Sequence, residues 1–520
     1  MSDLRDGLPI GDWYSSEDRP KPVRDRYAKL LRLAEMGVEP FAYSYERTHT
    51  LAQALAAWDA ALAADTELEE GPTVQVAGRI QALRDMGKTA FAHIEDRSGR
   101  LQVYLRREDM EERDAELLSH LDLADWIGVS GALFRTRTGE VTVRAAKIEL
   151  LSKTLRPVPF GKVEEKDGER IVHSGLTDIE QRARQRYADL AANPDVRESF
   201  VIRARIVSRL RSLLDAQGYI EVETPILQPI YGGAFARPFT TYHNTLDQTL
   251  YLRVADELYL KRLIVGGLDR VYEIGKDFRN EGVDRTHNPE FTMLEFYEAF
   301  ADYERMMDMA EHLVVETARS VCGTLVVEYE GREVNLAPPW RRLSFYDAIQ
   351  ELAGFDARQA DDDELRRRVK ETGHSEAASA DRTKLLDIAH GHWVEPNLTD
   401  PTIIYDHPIE LSPLAKPKRG DPGLAERFEV VVAGMELMNA FSELNDPMDQ
   451  WSRFSAQAEA RARGDEEAQS LDEDYVRALE YGLPPTGGLG LGVDRLTMLL
   501  TGKPTIREVI LFPALRPEDS

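Results

Sequence analysis

A twenty-residue segment, FRNEGVDRTHNPEFTMLEFY at residues 278–297, constrains the fold more than any other part of the chain. It predicts a strand that runs to Glu281, a polar loop of turn residues, and a second strand from Phe291 to Tyr297. Alternate residues of a strand share a face, so one sheet face is expected to carry Arg279, Glu281, Phe291, Glu295 and Tyr297. A cation, two carboxylates, a phenol and a flat ring together predict the floor of a site for a charged, partly aromatic ligand. An ordinary hairpin with a salt-bridged outer face is the alternative.

The length and composition of the chain limit what it can be. A chain of 520 residues predicts about two to four domains. It has no apolar run long enough for a membrane span and no apolar signal core near its start, so a cytoplasmic protein is expected. Cys322 is the only cysteine, which excludes an intrachain disulfide and a Cys-based zinc site. With 92 acidic against 65 basic residues, any contact with nucleic acid needs local basic patches.

Five short β-strand patterns follow Thr73 and are interrupted by one helical stretch. They predict a five-stranded OB-type β-barrel, a fold that commonly binds single-stranded nucleic acid by stacking bases on aromatic rings. The candidate binding face consists of Arg79, Phe91, Gln102 and Glu140. A β-barrel without this function is also compatible with five strands.

The pattern of apolar, polar and turn residues along the chain predicts four regions: a helical N-terminal extension at 1–65, the barrel at 66–151, a polar linker at 152–185 and a larger α+β domain at 186–520. Within the last region, residues 302–395 are expected to form a largely helical insertion.

Two further segments of the α+β domain carry residues suited to chemistry. Residues 427–446, RFEVVVAGMELMNAFSELND, predict a strand pair that bears Glu429, Glu436, Asn439 and Glu443. Carboxylates on such a pair can bind Mg²⁺ together with substrate phosphates. Residues 488–495, GLGLGVDR, predict a strand-to-helix junction where glycines let a flat ring approach the backbone and Arg495 starts the helix. The Gly-x-Gly-x-Gly spacing near the C-terminus excludes a dinucleotide-binding fingerprint.

Three ordered segments resemble the signature motifs of class II aminoacyl-tRNA synthetases: GYIEVETPILQPIYGGA, then residues 278–297, then GLGLGVDRL. The blocks ELYLKRLIVGG, ELSPLAK and NAFSELND resemble, within subclass IIb, the bacterial-type lysyl-tRNA synthetase family, over about residues 22–517. The resemblance implies an α+β homodimer with an OB-type anticodon-binding barrel and a class II antiparallel catalytic sheet flanked by helices. It implies activation of L-lysine with ATP to lysyl-adenylate and pyrophosphate, followed by transfer of the lysyl group to the 3′ end of tRNA(Lys).

The resemblance also implies roles for individual residues. ATP binding falls to Arg279, Glu281, His287, Phe291, Glu429 and Arg495, of which Arg279 and Arg495 are the catalytic cations. Lysine binding falls to Gly233, Glu257, Glu295, Tyr297, Asn439 and Glu443. Glu429 and Glu436 match the ligands of Mg²⁺, with several ions expected per active site. Anticodon binding falls to Phe91, Gln102 and Glu140, with Arg79 as a weaker match.

Two positions depart from the family pattern. Asp256 stands where the usual block APELYLK has proline, and Phe235 occupies a position that is usually small or polar. Neither change removes a named ligand. The aspartate and asparagine members of the class share this architecture, and Glu257 is the position that distinguishes lysine from them. A non-catalytic tRNA-binding paralogue is the other alternative.

Overall fold

The computed structural model describes residues 4–5, 8–166, 169–378, 380–462 and 471–518. The chain divides into two compact units, residues 1–178 with 187–193 and residues 179–186 with 194–520. Within the described ranges, no helix combines the length and the apolarity that crossing a membrane requires.

The first unit begins with short strands and three helices. They are β1 (Leu4–Arg5), β2 (Leu8–Pro9), α1 (Ile10–Ser15), α2 (Lys21–Glu35) and α3 (Leu51–Ala64). Helix α3 starts where it does because Thr50 and Gln53 form a reciprocal capping box, which satisfies two backbone N–H groups at the helix start.

A closed barrel follows, with strands in the order β3-β4-β5-β7-β6. Its elements are β3 (Glu70–Asp85), β4 (Thr89–Asp96), β5 (Gly99–Arg106), α4 (Glu112–Leu117), β6 (Trp126–Arg135) and β7 (Val141–Ser152). Burial alternates along the strands: in β4, Ala90, Ala92 and Ile94 are buried, while Phe91 and His93 between them are partly exposed. The five-stranded OB-type barrel predicted from the sequence is therefore confirmed.

The region predicted to be a linker carries regular structure. It contains the antiparallel hairpin β8 (Phe160–Lys166) and β9 (Glu169–Gly175), then α5 (Ile179–Arg184), with α6 (Arg186–Ala192) directly after it. The polar composition concealed the hairpin, although the Asp-Gly dipeptide at 167–168 is a hairpin signal in the sequence.

The second unit is built on an eight-stranded sheet with the order β10-β14-β15-β24-β23-β22-β19-β18. Its first part comprises α7 (Pro194–Ala216), β10 (Ile220–Glu221), β11 (Leu227–Gln228), β12 (Thr240–His243), β13 (Gln248–Leu252), α8 (Glu257–Val265), β14 (Arg270–Phe278), β15 (Glu290–Ala299) and α9 (Tyr303–Cys322). The middle part comprises β16 (Val326–Tyr329), β17 (Arg332–Asn335), β18 (Arg341–Ser344), α10 (Phe345–Ala353), α11 (Asp362–Glu371), α12 (Arg382–Ala389) and β19 (Thr402–Tyr405). The last part comprises β20 (Pro417–Lys418), β21 (Asp421–Ala425), β22 (Arg427–Val432), β23 (Met435–Ser442), α13 (Pro447–Ala462), α14 (Glu473–Glu480), β24 (Thr486–Gly492) and α15 (Val493–Thr501).

The two faces of this sheet differ in chemistry. Apolar side chains such as Leu294, Phe296 and Leu491 join the core formed with α7, α9 and α15. The alternating residues of the same strands, among them Glu295 and Tyr297, face the other way and are the ones with functional groups. The sheet is antiparallel except where β14 pairs with β10 and β19 pairs with β18. The predicted α+β class with a mainly antiparallel catalytic sheet is confirmed.

Residues 302–395, predicted to be a largely helical insertion, contain more than helices. They hold α9 to α12, but also the hairpin of β16 and β17 and the strand β18, which forms one edge of the main sheet. Much of this region is thus part of the sheet unit's own framework.

Candidate active site

Residues 278–297 form the end of β14, a loop and β15, but Arg279 and Glu281 do not continue the strand as the sequence predicts. Strand β14 ends at Phe278 and not at Glu281. The Arg279 N–H still donates to the Pro289 carbonyl at 2.9 Å, but the Asn280 N–H turns away to the Arg237 carbonyl at 2.8 Å. Glu281 therefore lies in an exposed loop, where Asn280 and the turn residues after it leave the ladder.

A cavity of about 300 Å³ lies on the functional face of the sheet. It brings together twelve of the thirteen residues proposed for ATP, lysine and metal from the sequence. The lining includes Gly233, Glu257, Arg279, Glu281, His287, Phe291, Glu295, Tyr297, Glu436, Asn439, Glu443 and Arg495. Glu429 is the one proposed residue that does not line it.

A row of glycines on β24 makes the floor of the cavity. In the sheet register, Gly488 lies between Tyr297 and Phe441, and Gly490 lies between Glu295 and Asn439. A Cβ atom at Gly488 would lie 2.0 Å from Glu443 Oε1 and 2.4 Å from the Tyr297 ring. A side chain at this position would fill the space in which these two groups meet a ligand.

Arg279 and Phe291 form a cation and a flat ring at one end of the cavity. The Arg279 guanidinium carbon lies 5.0 Å from the centroid of the Phe291 ring. Its Nε atom is buried, and no described residue accepts a hydrogen bond from it. The arrangement offers an incompletely satisfied cation to an anionic ligand beside a ring on which a base can stack.

Arg495 joins His287 and Glu436 at the same end. Its Nη2 donates to His287 Nε2 at 3.0 Å, and its Nη1 donates to the Glu436 carbonyl at 2.5 Å and lies 3.5 Å from Glu436 Oε2. His287 Nδ1 lies 2.9 Å from Asp284 Oδ2. Since Nε2 accepts from a guanidinium, the His287 proton belongs on Nδ1, where Asp284 accepts it.

Glu429 and Glu436 have the chemistry of a site for a hard cation. Burial raises the pKa of Glu429 to about 7, Arg427 opposes this, and the negative charge of Glu436 adds to it. Arg427 Nη2 donates to Glu429 Oε1 at 2.5 Å and its Nε donates to Asn439 Oδ1 at 3.0 Å. Two mutually repelling carboxylates offer the oxygen ligands that Mg²⁺ takes, so the residues fit the metal that the resemblance implies.

A buried lysine occupies the other end of the site. The Lys261 ammonium, which is fully buried, forms ion pairs with both Glu257 and Glu443. Burial alone would lower the pKa of Lys261, but the charges of Glu257 and Glu443 raise it above its ordinary value. These two proposed pocket carboxylates therefore share one internal cation before any substrate is bound.

One oxygen of Glu443 still has no donor. Glu443 Oε2 faces Lys261, whereas no described residue donates a hydrogen bond to the buried Oε1, which points towards Gly488 and the Tyr297 ring. Glu295 accepts a hydrogen bond from the Tyr297 hydroxyl at 3.0 Å. Burial raises the pKa of Glu295 to about 8, and the charge of Asp277 contributes.

Gly233 completes the pocket wall. Its φ of +93° favours glycine, and a Cβ atom there would lie 3.0 Å from Ala255 Cβ and 3.3 Å from Glu257 Cβ. The backbone of Gly233 therefore lies directly against the start of α8. Phe235, one of the two departures from the family pattern, lines the cavity with a half-exposed ring and does not occlude it.

The barrel carries its own polar and aromatic face. Gln102 Nε2 donates to Glu140 Oε2 at 2.7 Å, and His93 Nε2 lies 2.9 Å from Glu140 Oε1. Phe91 packs at 5.0 Å from Tyr104, between ring centroids. Of the four proposed anticodon residues, Phe91 lies on β4, Gln102 lies on the neighbouring β5, and Glu140 directly precedes β7. The fourth, Arg79, lies 5.0 Å from the Trp126 ring instead.

Comparison with known proteins decides the family. Residues 178–516 match the tRNA synthetases class II (D, K and N), and residues 74–151 match the OB-fold nucleic acid binding domain. The chain is 49% identical over 498 residues to the lysine–tRNA ligase of Carboxydothermus hydrogenoformans, covering 96% of this chain and 98% of that protein. It is also 49% identical over 495 residues to the lysine–tRNA ligase of Moorella thermoacetica, covering 95% and 97%. The chain belongs to the lysine–tRNA ligase family.

The sequence alone did not single out some residues of this lysine–tRNA ligase family site. Lys261 was missed, although it lies four residues after Glu257 on a predicted helix, a spacing that brings the two side chains together. Phe441 was missed too, although strand alternation places it on the same face as Asn439. No sequence signal marks Asp277, because its burial depends on contacts with α8 and β15 that only the fold provides.

Proposed function

We propose that this chain is a cytoplasmic lysine–tRNA ligase of protein synthesis. It activates L-lysine with ATP to lysyl-adenylate and pyrophosphate and then transfers the lysyl group to the 3′ end of tRNA(Lys). The observation that carries this proposal is the buried Oε1 of Glu443, to which no described residue donates a hydrogen bond, in a cavity that Glu257 and Glu295 also line. Buried carboxylates reject a neutral side chain, because it would leave their charge uncompensated.

The ATP end of the cavity supplies positioning and positive charge. Arg279 binds the α-phosphate, Phe291 stacks on adenine and Glu281 accepts from its amino group. His287 and Arg495 bind the phosphate tail. A lysine carboxylate oxygen attacks the α-phosphorus, the new P–O bond forms as the bond to the bridging oxygen breaks, and pyrophosphate leaves. Such a transfer needs alignment and charge neutralisation more than a general base.

Glu429 and Glu436 would hold Mg²⁺, with several ions proposed for each site. When bound, the metal neutralises phosphate charge. Arg427 has a separate role: from its position on β22 it donates hydrogen bonds to Glu429 on the same strand and to Asn439 on the neighbouring β23, and so holds both in place.

The opposite end selects the amino acid. Glu257, Glu295, Tyr297, Asn439 and Glu443 surround the bound lysine, and the Gly233 backbone receives its α-amino end. Lysine's ammonium is a compact charge with three donors and needs several acceptors. Glu443 Oε1 is an acceptor that no described residue satisfies.

The barrel is proposed to bind the anticodon of tRNA(Lys). Phe91 offers a ring for stacking, and the Gln102–Glu140 pair offers a donor and acceptors to a base edge. Arg79 lies on β3, which neighbours β4 in the barrel. Such contacts are local and do not need a basic whole-molecule charge.

A homodimer is proposed as the working form. Several apolar side chains of the first signature region, including Ile220, Ile226 and Leu227, are half-exposed in a single chain. Sedimentation of the purified protein would show two chains per particle if these side chains form an interface, and one if they do not.

Amino-acid-dependent ATP–pyrophosphate exchange tests the proposed function. We expect exchange with lysine and none above background with aspartate or asparagine, followed by charging of tRNA(Lys). Exchange with aspartate or asparagine would reassign the substrate. No exchange with any amino acid would favour the non-catalytic tRNA-binding alternative.

A further inference from the structure

We propose that Asp256 is a positioning residue for lysine binding, which keeps a proton in the folded protein and donates it to the Glu295 carboxylate. This role rests on the proposed lysine activation and concerns how Glu295 is held for a substrate ammonium group. Asp256 stands where the family block usually has proline, so the hydrogen bond is a property of this chain's sequence.

Three elements bring the carboxyl groups together. Asp256 is the residue before α8, Asp277 lies on β14 and Glu295 lies on β15. Their exposed fractions are 1%, 1% and 7%, and one carboxylate oxygen from each lies within 4.8 Å of the others. Three ionised carboxylates at this separation in a buried site would repel strongly, so at least one proton is expected among them.

Hydrogen bonding identifies which group holds that proton. Both Asp256 oxygens are buried, no described residue donates to them, and the side chain does not cap α8. A Glu295 carboxyl oxygen lies within 4.8 Å of an Asp256 carboxyl oxygen, and two such groups can share a hydrogen bond only if one of them is protonated. Glu295 already has a hydroxyl donor in Tyr297, which stabilises its anion. When the pair holds a single proton, that proton therefore belongs on Asp256; a bound lysine ammonium, or a pH above the Glu295 pKa of about 8, produces that state.

The nearby cations form ion pairs with other carboxylates, including Asp277 of the same cluster, and not with Asp256 or Glu295. The Arg253 side chain lies across Gly275, where a Cβ atom would be 1.9 Å from its Nη2. Its Nη1 lies 2.6 Å from Glu273 Oε1, and its Nε lies 3.1 Å from Asp277 Oδ1. On the α8 side, Lys261 is committed to Glu257 and Glu443.

The balance of charge around the pair agrees with a retained proton. The facing acidic groups are Asp256, Glu257, Glu273, Asp277, Glu295 and Glu443, and the facing cations are Arg253, Lys261 and Arg279. Burial raises the pKa of Asp256 well above its ordinary value, and the charges of Glu295 and Asp277 raise it further. Acidic groups exceed cations, and a proton on Asp256 reduces that excess without placing a second charge beside Glu295.

Lysine binding to the full-length protein, measured without ATP and with EDTA, tests this role. In Asp256→Asn the amide donates in place of the acid, so we expect a lysine Kd within about twofold of wild type at neutral pH. In Asp256→Ala Glu295 loses the proposed Asp256 donor and keeps only the Tyr297 hydroxyl. We expect Kd to rise about tenfold and the loss of binding on acidification to move to higher pH. The protonation of free lysine changes with pH in the same way for all three proteins, so it cancels when the Kd of a variant is divided by the wild-type Kd at the same pH.

Several results would overturn the role. Equal weakening in both variants would make Asp256 merely structural, and an unchanged Kd and pH profile in Asp256→Ala would remove it from the pocket. Wild-type binding that EDTA weakens would put a metal ion, and not a proton, among the three carboxylates.

Infrared spectroscopy tests the proton itself and needs no activity. We expect the difference between wild type and Asp256→Asn at neutral pH to contain the C=O stretching band of a protonated carboxylic acid. Carboxylate bands alone would overturn the assignment, even if Asp256→Ala does not fold. Lysine-dependent exchange by the wild-type protein separately tests the proposed function.

Discussion

Lys261 shows how a site built to bind a cation remains folded without its ligand. Glu257 and Glu443 are buried beside the cavity, and ionised carboxylates that are buried are costly unless paired. Lys261 pairs with both, and among the residues that the structure describes none donates to Glu443 Oε1. The internal cation thus supports the two carboxylates, while one acceptor remains for a substrate ammonium.

Replacing Lys261 with methionine is expected to destabilise the fold strongly. The change keeps the length of the side chain but leaves two buried carboxylates without their cation, so we expect a loss of about 3–5 kcal/mol in the free energy of unfolding. Urea denaturation measures this. Lys276→Met is the matched control, because the Lys276–Glu290 ion pair is largely exposed and its loss should cost no more than about 0.5 kcal/mol. Equal effects of the two changes would contradict the buried pairing.

The buried carboxyl groups also predict how stability depends on pH. The pKa values of Asp277, Glu429 and Glu295 are raised by burial to about 6, about 7 and about 8. A group whose pKa is raised on folding stabilises the folded state fully below its unfolded pKa and loses that contribution as pH rises through the folded value. We therefore expect the Tm of the ligand-free protein to fall between about pH 5 and about pH 8.

Lysine should oppose this fall. Its ammonium groups pair with carboxylates that are ionised at the upper end of the range, so the increase in Tm on adding lysine should be larger at about pH 8 than at about pH 6. Thermal unfolding followed by circular dichroism measures both trends. Glu295→Gln should flatten part of the fall. A Tm that rises steadily with pH would contradict the assignment of raised pKa values.

Strand β24 illustrates what could and could not be predicted for an element. The sequence placed GLGLGVDR at a strand-to-helix junction, and β24 with α15 confirms that position. The sequence also indicated that the glycines at this junction let another group approach the backbone closely. Which groups approach depends on β15 and β23, whose register brings Tyr297 and Phe441 to either side of Gly488. That register is a tertiary property and has no local signal.

Gly488→Ala should therefore damage the lysine end of the cavity. The added Cβ atom meets Glu443 Oε1 and the Tyr297 ring at distances shorter than any van der Waals contact. We expect the lysine KM in ATP–pyrophosphate exchange to rise at least about tenfold, with a much smaller change in the KM for ATP. Gly423→Ala serves as the control, since a Cβ atom there meets only Asp421 Oδ1, at 3.6 Å. An unchanged lysine KM in Gly488→Ala would remove Gly488 from the pocket.

Other elements show which features local sequence patterns can predict and which they cannot. Alternating apolar residues correctly predicted the barrel and the strands of the catalytic sheet, because period-two burial is a local signal. The end of β14 was placed three residues too late, because the Asn280 N–H bonds to Arg237, more than forty residues away in sequence. The residues that the family resemblance proposes for ATP, lysine and metal meet in one cavity apart from Glu429, whereas the roles of Lys261 and Asp277 became visible only through packing.

The chain as a whole combines two units that the proposed reaction uses differently. The barrel unit bears the proposed anticodon face around Phe91, and the sheet unit bears the cavity proposed for adenylate formation. Adenylate formation requires no tRNA, so damage to the barrel face should be seen only when tRNA is a substrate.

Phe91→Ala is expected to separate the two steps. Loss of a stacking ring should reduce the kcat/KM for tRNA(Lys) in aminoacylation by about fivefold to a hundredfold and leave lysine-dependent exchange within about twofold of wild type. Tyr43→Ala, which removes a 99% exposed ring of the same unit outside this face, is the matched control and should affect neither assay. Equal losses in both assays would show that Phe91 only supports the barrel.

The central claim is that buried carboxylates select a substrate by its side-chain ammonium. Norleucine has the four side-chain carbons of lysine but lacks the ammonium group. The ratio of kcat/KM for lysine to kcat/KM for norleucine in ATP–pyrophosphate exchange therefore tests the claim most directly. We expect a ratio of at least about a thousand, because norleucine would leave Glu443 Oε1 buried without a donor. A ratio below about ten would contradict the account, since it would mean that apolar contacts alone choose the amino acid.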